Sequence, residues 1–210
     1  MIKKKELEIF LSTLKDFESP KENLEQWSTP PDIAAEILFI AYSAGDINDR
    51  IIADLGAGTG ILGIGAAILG AKKVFCVEID PNAYCIALEN LEKAKRIFDN
   101  IDIVFLNMDV RNFSKRVDVV IMNPPFGLEK STRHADVIFL RKAFEIADKI
   151  YSLHHFSNKS RRYLINLARN NGFKGSILRT FHIPLKARKE KHRKERLIIP
   201  VDFYVFEREY

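Results

Sequence analysis

The chain has 210 residues, of which 47% are hydrophobic and 29% charged, and its formal net charge is +5. This length and composition are typical of one globular domain, spanning residues 1–210, and they exclude an intrinsically disordered chain. No run reaches the roughly 18 apolar residues that a membrane helix needs, and the opening MIKKKELEIF lacks a secretory apolar stretch, so we expect a cytoplasmic protein without a membrane partner. The two cysteines, Cys76 and Cys85, are too few for a zinc site or a disulfide framework, so we expect no bound metal.

Two helices are predicted within residues 1–45. Apolar residues from Leu7 to Phe17 recur at i, i+3, i+4 and i+7 spacing, which predicts an amphipathic helix over 4–17. Pro31 suits the first turn of a second helix, which runs to about Tyr42. We expect both helices to pack on the elements that follow them.

From residue 50 onward, apolar runs alternate with helical patterns. The apolar runs predict strands at 51–55, 74–79, 101–106, 117–122, 151–156, 176–183 and 198–206. Helices are predicted at 61–69, 81–98, 136–150 and 158–170. The last two strands are joined without a helix by a basic loop, 184–197.

This order of elements predicts an α/β fold. Near-continuous apolar strands separated by helices are typical of a mostly parallel sheet that is covered on both faces. Two strands joined without a helix pair more naturally as antiparallel neighbours. We therefore predict a doubly wound, Rossmann-like sheet of seven strands that ends in an antiparallel hairpin and carries an N-terminal helical extension. In such sheets, ligands bind at the carboxyl ends of the strands.

A glycine-rich turn follows the first strand. Residues 54–60 read DLGAGTG, and glycines let the main chain turn sharply and approach a ligand closely. Glu78, at the end of the second strand, is placed to accept hydrogen bonds from ribose hydroxyls. The residues from Gly58 to Gly63 also form a G-x-G-x-x-G pattern, so a dehydrogenase that binds a nicotinamide cofactor remains an alternative. Asp54 disfavours a pyrophosphate in this turn and favours the ammonium group of S-adenosylmethionine.

The fourth strand ends in Asn123-Pro124-Pro125-Phe126. Two consecutive prolines fix φ and remove two donors, so the nearby main-chain carbonyls remain as rigid acceptors, and Asn123 adds a side-chain carbonyl. Together these acceptors can hold an exocyclic amine by both of its hydrogens. The Phe126 ring offers a surface on which a base can stack, a contact worth ~1–3 kcal/mol. A proline-rich turn that only ends the strand is the structural alternative.

The positive charge is concentrated in residues 186–196, KARKEKHRKER. This segment holds seven Lys or Arg and two Glu, a net charge of +5, so the rest of the chain sums to zero. One concentrated basic segment on a neutral body predicts a local docking site for a polyanion, and a solvated loop is the alternative. The expected phosphate contacts come from Lys186, Arg188, Lys189, Lys191, Arg193, Lys194 and Arg196.

These motifs together resemble an amino-group methyltransferase of the class I S-adenosylmethionine-dependent fold. The chain is most similar to the small ribosomal RNA adenine-N6 methyltransferase family, over nearly all of residues 20–210. The likeness rests on LEQWSTP (24–30), the glycine-rich stretch 53–71, VEID (77–80), MDV (108–110), VIMNPPFG (120–127), YSLH (151–154) and the basic stretch that contains His192.

The resemblance implies a role for each motif. The Asn123–Phe126 motif would hold the target base, and His192 would belong to the RNA-binding stretch. Gln26 and Thr29 would contact the methionine end of the cofactor. The full set of cofactor-binding residues would be Gln26, Thr29, Asp54, Gly56, Gly58, Glu78 at the ribose and Asp109 at the adenine. Eukaryotic members of the family also work with a small zinc-binding adaptor protein, whose contacts the sequence does not assign.

We therefore predict an enzyme that uses S-adenosylmethionine to methylate the N6 amino group of an adenosine in RNA of the small ribosomal subunit. Guanine-N2 and protein-glutamine methyltransferases share the same motif. The basic segment favours nucleic acid over glutamine, whereas adenine over guanine rests on the resemblance. A non-catalytic module that binds RNA or a partner through this scaffold is the alternative from another class. A dehydrogenase would leave the Asn-Pro-Pro-Phe motif unexplained.

Overall fold

The computed structural model describes residues 2–185 and 197–210. The basic segment 186–196, with its expected RNA contacts, lies outside the described residues. The helices are α1 (Lys4–Ser12), α2 (Pro31–Ser43), α3 (Ile61–Ile68), α4 (Pro81–Lys95), α5 (Ala135–Ile146) and α6 (Asn158–Asn170). The strands are β1 (Ile51–Leu55), β2 (Lys73–Glu78), β3 (Ile103–Asn107), β4 (Val119–Met122), β5 (Lys149–His155), β6 (Phe173–Leu185) and β7 (Leu197–Arg208).

The strands form one seven-stranded sheet in the order β3-β2-β1-β4-β5-β7-β6. The five strands from β3 to β5 are parallel, and β7 runs antiparallel between β5 and β6. The predicted mostly parallel sheet with a terminal antiparallel hairpin is thus confirmed. Because β1 pairs with both β2 and β4, the strand order switches direction at β1, and such a switch point opens a crevice at the carboxyl ends of the strands.

Apolar residues cover both faces of the sheet. Successive residues of a strand point to opposite faces, so Ile52 joins one hydrophobic cluster and Ala53 joins the other. The first cluster includes Leu11 of α1 and Leu38 of α2, together with residues of α3 and α4. The second includes Leu140 of α5 and residues of α6. Within the described ranges, no helix is both long and apolar enough to cross a membrane.

Three predicted helix ends were wrong, one of them in α4, which ends at Lys95 instead of residue 98. Helix α1 ends at Ser12 instead of residue 17, because the following segment forms tertiary hydrogen bonds, among them one from the Lys15 main-chain N–H to Asn90 Oδ1 at 2.8 Å. Helix α5 ends at Ile146 instead of residue 150, since Lys149 already pairs with Val119 in the sheet. The residue that precedes α5 is His134, with φ of 66°, so Asp136 lies in the first turn and does not cap the helix.

Candidate active site

The carboxyl ends of β1 to β4 surround a cleft of ≈ 1160 Å³. Its lining includes the glycine turn after β1, Glu78 at the end of β2, Asp109 after β3, and both Asn123 and Pro125 after β4. Pockets of about 300–1,000 Å³ enclose a single drug-sized ligand, so this cleft has room for a nucleoside cofactor and part of a second molecule. The sheet therefore brings the predicted cofactor motifs and the predicted catalytic motif to one place.

Residues 13–30 cross the glycine turn and form one wall of the cleft. Asn90 ties this segment down, because its Nδ2 donates to the carbonyl of Lys15 at 3.0 Å and to that of Thr59 at 2.9 Å. The Lys21 ammonium pairs with Asp80 at 2.6 Å. Sequence reasoning assigned only Gln26 and Thr29 of this wall to the site, because the contacts that hold the rest join residues far apart in the chain and follow no local pattern.

The predicted glycine turn needs its glycines. Gly56 and Gly58 have φ of 73° and 55°, which lie in the left-handed region that residues with a Cβ rarely adopt. A Cβ on Gly58 would lie 2.8 Å from Phe17 Cζ, and one on Gly56 would lie 2.9 Å from Phe139 Cε1. The main chain of the turn therefore lies close to the aromatic walls of the cleft.

Asp54 lies beneath this turn and is 1% exposed. Its Oδ2 accepts the main-chain N–H of Gly63 at 2.9 Å, whereas its buried Oδ1 has no hydrogen-bond partner among the residues described. Burial raises the pKa of Asp54 to about 7. Asp54 lines the cleft, and buried polar atoms are normally paired, so its unpaired oxygen fits a donor from a ligand, such as the ammonium group of S-adenosylmethionine.

Glu78 is held rigidly by main-chain donors. Its Oε2 accepts the N–H of Gly58 at 2.7 Å, and its Oε1 accepts the N–H of Asp80 at 2.8 Å. Burial raises the pKa of Glu78, against the lowering effect of these hydrogen bonds. Each carboxylate oxygen has a second lone pair, so the two oxygens can still accept hydrogen bonds from the hydroxyls of a ribose.

The other expected cofactor contacts also line the cleft. The Arg111 Nε–H donates to Asp109 Oδ1 at 3.0 Å, and hydrogen bonding to Arg111 lowers the pKa of Asp109. Gln26 Nε2 donates to Asp80 at 2.6 Å, and Thr29 Oγ1 accepts a hydrogen bond from Asn123 Nδ2 at 3.0 Å. Their contacts with the cofactor stay predictions, since each of these side chains already bonds to a protein group.

The Asn-Pro-Pro-Phe motif presents one unpaired acceptor. Because Asn123 Nδ2 donates to Thr29, the amide is oriented, and its buried Oδ1 has no hydrogen-bond partner in the described parts of the chain. Asn123 and Pro125 line the cleft, whereas Pro124 is buried. An acceptor oxygen is therefore fixed at the end of β4, beside the cofactor motifs.

Phe126 lies in the hydrophobic core. The residue is 8% exposed and belongs to the cluster that also contains Ile121 and Tyr151. A ring this deeply packed would have to turn out of the core before a base could stack on it. The stacking contact of Phe126 therefore stays a prediction.

Sequence reasoning missed Glu25, which is 3% exposed and has φ of 46°. Its carboxylate accepts the main-chain N–H groups of Gly127 and Glu129 and the hydroxyl of Thr132. Glu25 is part of the LEQWSTP motif, but within that motif only Gln26 and Thr29 were assigned a role. The YSLH motif instead lies in the core, where the His154 ring is 1% exposed and its Nε2 lies 2.8 Å from Ser152 Oγ.

Comparisons with known proteins agree with this geometry. A family model described as ribosomal protein L11 methyltransferase (PrmA) matches residues 39–124, less than half of the chain. The solved structure of protein PH1948 from Pyrococcus horikoshii is 45% identical, covers 100% of both chains and superposes with a TM-score of 0.88. Magnesium protoporphyrin IX methyltransferase (ChlM) from Synechocystis, solved with bound S-adenosylmethionine, is 18% identical and shares the fold at a TM-score of 0.60, over 84% of this chain and 78% of that one.

A full-length curated relative is also found. The rRNA N(6)-adenosine-methyltransferase METTL5 of Danio rerio is 37% identical over 211 residues, which cover 98% of this chain and 99% of that protein. The match therefore includes the cofactor motifs, the Asn-Pro-Pro-Phe motif and the terminal hairpin. The chain belongs to the METTL5 family of rRNA N(6)-adenosine methyltransferases.

Proposed function

We propose that this protein methylates the N6 amino group of an adenosine in RNA, specifically in RNA of the small ribosomal subunit, with S-adenosylmethionine as the cofactor. The observation that carries the proposal is Asn123, which lines the cleft next to the cofactor motifs and whose buried Oδ1 has no hydrogen-bond partner among the residues described. An acceptor at this place suits a substrate that donates N–H groups, as an exocyclic amine does. Membership of the METTL5 family supports adenine as the base.

Two sets of residues have separate roles: one would bind the cofactor, and the other would bind the target amine. Asp54 Oδ1 would pair with the cofactor's ammonium group, and Glu78 would bind its ribose hydroxyls. S-adenosylmethionine supplies an electrophilic methyl group when bound. Asn123 Oδ1 accepts one N–H of the target amine, and the main-chain carbonyls of the motif accept the other. Held in this way, the nitrogen lone pair is turned away from conjugation with the ring.

Catalysis in this site depends on positioning. The neutral amine becomes strongly acidic only while its nitrogen gains the methyl group, so no side chain has to remove a proton beforehand. Holding the amine in line with the methyl group replaces a bimolecular encounter with an oriented pair, which is a large source of rate enhancement. Thr29 contributes by fixing the Asn123 amide so that the acceptor oxygen and not the NH₂ group meets the substrate.

RNA is favoured over a protein acceptor by two observations. The L11 methyltransferase model matches residues 39–124, so it covers the glycine turn, Glu78 and Asp109 and stops before the loop that follows Phe126. Pro184, at the end of β6, lines the cleft, and the basic segment 186–196 begins two residues later. We propose that this segment binds phosphates next to the target nucleotide.

Two finer expectations belong to the same proposal. The likeness to animal members of the family supports a small zinc-binding adaptor as a protein partner. The cytoplasmic location stays a prediction, which follows from the expected ribosomal RNA substrate.

Transfer of a labelled methyl group tests the acceptor class. The protein is incubated with labelled S-adenosylmethionine and either small-subunit RNA or ribosomal proteins. We expect label in the RNA, and much less of it with the Asn123→Ala variant. Label that enters only ribosomal protein would overturn the proposal in favour of glutamine methylation, and no label in either fraction would favour a binding module.

A further inference from the structure

The Glu25 carboxylate joins two segments that are far apart in the chain. It accepts the main-chain N–H of Gly127 at 3.0 Å and that of Glu129 at 2.6 Å, and it also accepts the hydroxyl of Thr132. We name these four residues the Glu25 clasp. Because Glu25 is 3% exposed, water cannot replace these contacts if the carboxylate is lost.

The clasp acts on the main chain directly after the catalytic motif. Gly127 follows Phe126 and has φ of 74°, so its N–H is held at the point where the chain turns away from the Asn-Pro-Pro-Phe sequence. Ser131 and Thr132, further along the same loop, line the cleft. The clasp therefore fixes the main chain directly after the motif and one wall of the space in which a target base would lie.

A carboxylate is needed at this position. Three donors converge on Glu25, and an ionised carboxylate only accepts, through two oxygens. An amide of the same shape would turn an NH₂ group toward at least one of these donors. Glu25 also neighbours Gln26, which bonds to Asp80, so the segment that holds the loop on the acceptor side is anchored on the cofactor side as well.

We propose that Glu25 is a positioning residue for the acceptor base: by holding the loop 127–132, it keeps the carbonyls of the Asn-Pro-Pro-Phe motif where they meet the target amine. This inference rests on the proposed function. Glu25 touches neither the base nor the cofactor in this assignment, and it acts through Gly127.

The test compares matched variants of the full chain. Glu25→Gln removes the charge of the clasp, and Thr132→Val removes its hydroxyl without altering the segment next to the cofactor. Thr132→Ser restores the hydroxyl, and Glu92→Gln makes the same change from carboxylate to amide on an exposed side chain of α4. For each variant we measure kcat and KM for RNA, the Kd for S-adenosylmethionine, the Tm, and the hydrogen exchange of the Gly127 and Glu129 amides.

We expect Glu25→Gln to lower kcat for RNA about tenfold or more, because the carbonyls of the motif are no longer held in place, while the Kd for the cofactor changes less than threefold. Thr132→Val should lower kcat less, Thr132→Ser should regain the parent value, and Glu92→Gln should match the parent protein. Both amides should exchange faster in Glu25→Gln.

A lower Tm for Glu25→Gln with unchanged kcat, at a temperature where all variants are folded, would show a purely structural role and overturn the inference. If the parent protein and Glu92→Gln both fail to methylate RNA, the proposed function fails instead. In that case unchanged amide exchange in Glu25→Gln would still overturn the clasp, which keeps the two failures distinct.

Discussion

At the scale of single residues, two unpaired oxygens define the site. Asp54 Oδ1 and Asn123 Oδ1 are both buried, and neither has a hydrogen-bond partner in the chain as described. Leaving a buried polar atom unpaired costs about 1–3 kcal/mol, so an unpaired acceptor on a residue that lines the cleft fits a hydrogen bond from a ligand. One oxygen lies beneath the glycine turn and the other at the end of β4, as expected for a cofactor and an acceptor that meet between them.

Cofactor binding should depend on pH through Asp54. The pKa of this group is raised to about 7, so below that pH it is largely protonated and cannot pair with an ammonium group. Affinity for S-adenosylmethionine should therefore rise about fivefold between pH 6 and pH 7, where one carboxyl group ionises and the cofactor's ammonium group keeps its proton. Calorimetry at several pH values measures this slope. Asp54→Asn, which cannot ionise, should bind weakly with a flatter dependence, and an equal slope in both proteins would contradict the assignment.

The orientation of Asn123 should control turnover. Asn123→Ala should lower the methyl-transfer rate about 100-fold or more and leave the cofactor Kd within a few fold, because the lost acceptor acts on the reacting amine. Thr29→Val should lower the rate by a smaller factor, since the amide keeps its oxygen and loses its anchor, and Thr29→Ser should retain most activity. Single-turnover kinetics separates these effects from binding. Unchanged turnover in Asn123→Ala would remove this residue from catalysis.

At the scale of elements, the glycine turn and the wall formed by residues 13–30 work as a pair. Gly58 has φ of 55°, and a Cβ added to it would lie 2.8 Å from Phe17 Cζ. The wall thus depends on a turn that only glycine forms without strain. Any side chain added to the turn displaces the segment that closes the cofactor side of the cleft.

Gly58→Ala should lower stability by about 1–2 kcal/mol through left-handed strain, and it should also weaken cofactor binding because Phe17 is displaced. Gly172→Ala provides a matched control: Gly172 has φ of 77°, and a Cβ there meets nothing within 4 Å. Both variants should unfold more easily, but only Gly58→Ala should lose affinity for S-adenosylmethionine. Denaturant unfolding and calorimetry measure the two effects. Equal cofactor affinities in the two variants would contradict the role of the wall.

Sequence patterns predicted the elements whose formation depends on residues that are close together in the chain. The apolar runs predicted all seven strands, and the prolines that follow the run 117–122 placed the motif at Asn123 at the end of β4. The end of α1 was missed, because the apolar spacing continues to Phe17 while hydrogen bonds to Asn90 pull the chain out of the helix. Glu25 was missed for the same reason, since its partners lie about a hundred residues further along the chain.

At the scale of the whole molecule, packing joins the helices to the sheet, whereas the excess positive charge is concentrated in one segment. Leu11 of α1 and Leu38 of α2 share a hydrophobic cluster with Ile52 of the sheet, so we propose that residues 1–210 form one domain. The excess positive charge lies in residues 186–196, which come two residues after the cleft residue Pro184 in the sequence. A neutral body with one basic segment that continues from a cleft residue is suited to dock RNA in one orientation.

RNA binding should therefore weaken with salt in a way that depends on this segment. If four to six of its residues neutralise phosphates of a largely single-stranded target, log affinity should fall against log salt with a slope of about −3 to −4. Changing Arg193 and Lys194 together to Glu should weaken binding and flatten the slope, while cofactor affinity stays the same. Titrations at several salt concentrations measure both values. A double variant that equals the parent protein in affinity and slope would exclude the segment from the RNA site.

The identity of the methylated nucleoside tests the central claim most directly. Small-subunit RNA is treated with the protein and S-adenosylmethionine, digested to nucleosides and examined by mass spectrometry, with Asn123→Ala treated in parallel. The geometry at Asn123 and the membership of the METTL5 family predict N6-methyladenosine, strongly reduced in the variant. N2-methylguanosine as the product, or N6-methyladenosine formed equally well by Asn123→Ala, would contradict the claim.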